Sequence, residues 1–182
     1  MFEKLRQHLF QRDLQKRLQT HRSKRSSMPL ERARYVGILF NGTNLDERKP
    51  VLAFAKRLKK EGKRVKLLAF MDNKADNSNF PFNNFNRKDI NWYYIPKSED
   101  VRNFMEEPFD ILINLELNPS PWMDYIPALS KARFRVGTAD AAPEACDLML
   151  DMSKGKGIEE FIRQTERYLE KMQTRQNEIP IS

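Results

Sequence analysis

From Tyr35 onward, short apolar runs alternate with longer stretches of helical periodicity, and this alternation constrains the fold more than any other feature of the chain. Residues 35–40 (YVGILF) form a first buried strand, closed by the turn signal Asn41-Gly42. Pro50 then sits near the start of a helix with Val51, Leu52, Ala55 and Leu58 on one face, stopped by Gly62. Residues 65–71 are the second strand, residues 72–90 a long polar excursion rich in asparagine and phenylalanine, and residues 91–95 (NWYYI) the third strand. A short helix follows, with Ser98 as N-cap, Glu99 and Asp100 in its first turn, and Val101 and Phe104 inward. Residues 110–115, 134–137 and 148–151 complete the strands, with a helix over 122–130 between the first two. Ile158, Phe161, Ile162, Thr165, Tyr168, Leu169 and Met172 share one face of a last helix. Strands alternating with helices make βαβ units, so the expectation is an α/β, Rossmann-like three-layer sandwich with a mostly parallel sheet of five or six strands.

Charge divides the chain differently. Of a net +8, residues 1–34 carry +7 and the rest only +1. Phe2, Leu5, Leu9, Leu14 and Leu18, widened by Phe10, read as one apolar stripe of a basic amphipathic helix, followed by a polar linker over 20–29. The expected organisation is a basic helical arm and linker (1–34), an α/β domain (35–175) and a loose tail (176–182). All six strands fall in the domain, so its folding is expected not to need the arm.

Composition excludes several classes. No window approaches the roughly 18 apolar residues of a membrane span, and no apolar signal-peptide core opens the chain, so the expected compartment is the cytoplasm. Cys146 is the only cysteine, so neither a disulfide framework nor a cysteine-based zinc site forms within one chain. Both histidines, His8 and His21, lie in the arm, which removes Ser-His-Asp and Cys-His machinery from the domain. Cys146 reads as a small buried hydrophobe. The turn after the first strand holds one glycine, Gly42, where a dinucleotide fingerprint needs three, and Lys154 and Lys156 in SKGKG are not in a Walker frame. No cofactor and no metal is expected. Asp72, Glu116, Asp140 and Asp151 stand at strand C-termini, where open α/β sheets place ligands, but loop carboxylates are common there. Phe80, Phe82 and Phe85, interleaved with asparagines, read as plugs of the sheet edge more than as a stacking surface for bases.

The frame FDILINL…YIPALSKARFRVGTAD, followed by CDLMLDM and FIRQTERYLEKM, resembles a small family of Bacteroidetes proteins classed as a domain of unknown function. The resemblance implies one intact domain and carries no activity or site residue with it. Residues 110–115 with 128–137 are also similar to a stretch in the acceptor-side domain of heptosyltransferase-like glycosyltransferases, which implies a shared strand–helix–strand.

The charge asymmetry points to a non-enzymatic protein whose arm contacts a polyanion, foremost RNA in a ribosomal or other ribonucleoprotein setting. The phosphate-contacting candidates are Lys4, Arg6, Arg12, Lys16, Arg17, Arg22, Lys24 and Arg25, joined by Lys56, Lys59 and Lys60 of the domain into one surface. One alternative is a small enzyme, or the remnant of one with a glycosyltransferase-like fold, acting on a sugar or nucleotide near Gly42, Glu116, Lys154 and Lys156. A second is an anionic membrane surface held by the amphipathic arm. A third is a stripe that simply packs on the domain or on a second copy.

Overall fold

A computed structural model describes residues 1–154 and 157–177, with side chains through Met172. The helices are α1 (Phe2–Thr20), α2 (Leu45–Lys60), α3 (Glu99–Glu106), α4 (Pro121–Ala128) and α5 (Ile158–Asn177). The strands are β1 (Tyr35–Asn41), β2 (Arg64–Met71), β3 (Asn83–Asn86), β4 (Ile111–Leu115), β5 (Phe134–Thr138) and β6 (Leu148–Leu150). All six strands run parallel in the order β3-β2-β1-β4-β5-β6. The fold is therefore the α/β, Rossmann-like sandwich read from the alternation, and the strand order reverses between β1 and β4.

Alternating side chains of the central strands divide the core. Val36, Ile38, Phe40, Ile111, Ile113 and Leu115 pack under α2 and α5. Leu39, Leu68, Phe70 and Leu112 pack under α3 and α4, with Val101, Phe104, Met123 and Ile126 supplied by those helices. Ser98 caps α3 by accepting from the Val101 N–H at 3.2 Å. Gly62, at φ +84, ends α2 in a backbone conformation that side chains resist.

The arm is built onto this sandwich. Phe10 and Leu14 are buried against Ile95, Tyr125 and Ala128, so α1 lies over α4. Residues 21–34 then follow the N-terminal edge of the strands. The Arg25 guanidinium donates to the Ala132 carbonyl, the Ser26 N–H to the Arg133 carbonyl at 2.8 Å, and the Lys63 ammonium to the Leu30 and Ala33 carbonyls at 2.7 and 2.8 Å.

Four sequence expectations need correction. The third strand is not 91–95 but Asn83–Asn86, inside the polar excursion. Residues 91–95 are folded into a turn by Asn91, whose side-chain oxygen accepts from the Tyr93 and Ile95 N–H groups, with Tyr94 at φ +72. Helix α2 begins at Leu45, capped by Asn44, and Pro50 lies within it rather than near its start. The stripe on α1 is two stripes: Phe10, Leu14 and Leu18 meet the sandwich, whereas Phe2 and Leu5 are 76% and 47% exposed. Helix α5 runs on to Asn177, two residues into the expected tail of 176–182, and tail residues 178–182 lie outside the described residues.

Candidate functional site

The arm cations fall into two groups once their partners are known. Arg6 lies 4.2 Å from the centre of the Tyr94 ring and donates to the Trp92 carbonyl at 2.6 Å. Arg17 pairs with Asp13 at 2.7 Å, and Arg25 is half-buried on the Ala132 carbonyl, its pKa brought down to about 10 by burial and the nearby Arg135. Arg6 and Arg25 tie the arm to the domain, and Arg17 is occupied within α1 itself. Lys4, Arg12, Lys16, Arg22 and Lys24 are exposed, and none has an acidic partner among the described residues. Trp92, 52% exposed, stands beside α1 at the position where Arg6 binds its carbonyl.

Lys56, Lys59 and Lys60 are exposed on α2 and likewise unpaired among the described residues. They do not form one surface with α1, because α2 covers the opposite face of the sheet. The linker makes a different connection. It carries Arg22 and Lys24 onto the N-terminal edge of the strands and ends beneath the last turn of α2, where Lys59 and Lys60 lie and Lys63 grips its carbonyls.

At the opposite edge, the reversal of strand order brings Gly42 and Glu116 together: Phe40 is paired with Leu115, so the residues that follow leave the sheet side by side. The backbone here is already occupied. The Gly42 N–H donates to the Phe70 carbonyl at 2.9 Å, the Thr43 N–H to Asn41 at 3.0 Å and the Asp46 N–H to Asn44 at 2.8 Å. Those amides are not free for a pyrophosphate. Lys154 follows β6, two strands beyond β4 in the sheet, and is exposed. Lys156 lies outside the described residues.

The carboxylates separate in the same way. Asp72 pairs with Arg87 at 2.5 Å, which holds its pKa below the ordinary carboxylate value, and Asp151 accepts from the Ser153 N–H at 2.9 Å; both brace loops. Asp140 is exposed. Glu116 is 7% exposed and accepts from the Ser120 hydroxyl at 3.0 Å and N–H at 3.3 Å. Burial pushes its pKa up to about 8, and the nearby Asp124 and Glu47 add to the rise. Asp124 on α4 is also buried. Its Oδ2 accepts from the Ala142 N–H at 2.9 Å, its Oδ1 has no partner, and burial pushes its pKa up to about 6. Two carboxyl groups that exchange protons near neutrality therefore flank the start of α4. Cys146 offers no nucleophile beside them. Its Sγ fills the space a side chain on Gly137 would need, at 2.3 Å from an ideal Cβ, and burial pushes its thiol up to about 12.

Sequence reasoning missed Asp124; a single carboxylate in the otherwise apolar PWMDYIPA helix was the available signal for it. The phenylalanines of the excursion behave as read: Phe82 and Phe85 are buried, and Phe80 stacks on Phe82 with centroids 5.3 Å apart.

No helix among the described residues is long and apolar enough to cross a membrane, and no group of three or more His, Cys, Asp and Glu side chains among them could hold a metal ion. No protein of curated function and no solved structure is similar to the chain. One family model matches it over residues 6–172, from within α1 to within α5. The chain belongs to this family, described as a family of unknown function (DUF6913).

Proposed function

We propose that the protein is a non-enzymatic binder of single-stranded RNA phosphates, in a cytoplasmic ribonucleoprotein setting. The observation that carries this reading is the set of five exposed cations without acidic partners, Lys4, Arg12, Lys16, Arg22 and Lys24, on a backbone strapped to the domain. Cations held in place lose less freedom on meeting phosphates than cations on a loose tail, and they neutralise phosphate without reading sequence. Trp92 adds an exposed aromatic face on which a base can stack.

The test is fluorescence anisotropy of labelled single-stranded RNAs of unrelated sequence with the full chain. Replacing Arg12, Lys16, Arg22 and Lys24 with glutamine keeps helix propensity and removes four charges. Affinity is expected to fall at least tenfold, and equally for all sequences. Unchanged affinity would overturn the reading.

A second reading rests on its own observation. Met1, Phe2 and Leu5 are exposed next to these cations, as an anchor in an anionic bilayer surface would require. Flotation with phosphatidylserine vesicles, abolished by Phe2→Ser with Leu5→Ser while RNA binding persists, would favour it.

A further inference from the structure

Between α1 and α4 lies a cavity of about 440 Å³. Its walls are largely apolar, formed by Phe10 and Leu14 of α1, Ala128 of α4 and the Tyr94 ring, and its polar groups include Asp124 and Asp140. A space of this size with a few placed polar groups is the common form of a small-molecule site.

The charge of the cavity is opposite to that of the chain. No lysine, arginine or histidine is among its described lining residues, while two carboxylates are, and Glu116 lies behind Ser120 on its wall. Asp124 is 8% exposed, and its Oδ1 is buried with neither a donor nor a cation against it. A buried carboxylate oxygen without a partner is costly, because the protein supplies nothing in place of the water it lost. The raised pKa of this group reflects the same lack. Anionic ligands, phosphates included, meet like charge here. A ligand that brings both a cationic donor and an apolar body satisfies the carboxylate and the walls together.

We propose that this cavity binds a small organic ammonium compound, with its cation on Asp124 and its apolar body against Phe10 and Leu14. The site lies at the C-terminal side of the sheet, and although α1 forms one of its walls and also carries Lys4, Arg12 and Lys16, the proposal uses none of the RNA-reading cations, so either can fail alone.

The test uses the full ¹⁵N-labelled chain and three probes of one skeleton: 2-phenylethylamine, 2-phenylethanol and 3-phenylpropionate. The amine is expected to shift the amides of Ser120, Asp124 and Ala142 saturably below ~10 mM, at least tenfold tighter than the acid, with the alcohol between them. Asp124→Asn should weaken the amine at least tenfold while leaving the alcohol nearly unchanged. Should that variant not fold, Gln7→Trp, at an exposed rim position, narrows the mouth without touching the carboxylate and should weaken all three probes. Binding of the acid as tight as that of the amine, no saturable shift with any probe, or amine binding untouched by both substitutions would overturn the proposal.

Discussion

Glu116 is a carboxyl group that favours the folded protein only while it keeps its proton. Its pKa of about 8 in the fold, set mainly by burial, lies well above the ordinary glutamate value. Its contribution is therefore complete below that ordinary value and is lost as pH rises through about 8. Asp124 acts in the same sense in a lower window, up to about 6. Glu107, held down first by the Lys66 ammonium, and Asp72, held down by Arg87, act oppositely and lose their contribution on acidification. Glu116→Gln keeps an acceptor for Ser120 and removes the titration. We predict that the parent chain loses stability to urea between pH 6 and pH 8, that the variant loses less, and that at pH 8 the variant is the more stable by on the order of a few kcal/mol. Parallel stability curves would show that Glu116 is solvated. Of this pair, Glu116 was legible in the sequence, because a carboxylate directly after the clearest strand falls where α/β sheets place ligands. Asp124 was not, because a lone aspartate in a short helix reads as solvent-facing until α1 is known to cover that helix.

Helix α1 shows how spacing alone can merge two surfaces into one. Apolar residues at intervals of three to five read as a single stripe, yet the helix turns far enough between Leu5 and Leu14 for the first half to face solvent and the second to face Tyr125. Leu14→Ala is predicted to destabilise the protein by about 2–4 kcal/mol, as truncation of a buried leucine does, whereas Leu5→Ala changes stability by less than about 0.5 kcal/mol. Thermal or urea unfolding measures both. Equal effects would mean that the two positions share one environment. Strand β3 went unread for a related reason. Asn83, Asn84 and Asn86 lack strand propensity, and their place at the sheet edge is fixed by tertiary bonds, such as the Asn86 side-chain amide on the Ala75 carbonyl at 2.8 Å. The aromatic, β-branched NWYYI segment has the better propensity but is turned by one asparagine side chain.

Across the whole molecule, charge and apolar surface are sorted by position on the sheet. The central alternation of strands and helices was legible because each buried parallel strand leaves a continuous apolar run, as in residues 111–115, which are buried throughout. The sorting of the cations was only half legible. Their number lies in the sequence, but which of them are occupied by Asp13, Tyr94 or the Ala132 carbonyl depends on where α1 and the linker lie. The family match covers both most of the arm and the sandwich, over residues 6–172. The central claim, that the exposed arm cations engage RNA phosphates, is tested most directly by the salt dependence of that binding. Each single-strand phosphate neutralised contributes a log–log slope of about −0.7, so engagement of the five free cations predicts a slope of roughly −3 to −4 for the full chain and about −0.7 for the four-glutamine variant. A slope that is shallow in the full chain, or the same in both proteins, would contradict the account.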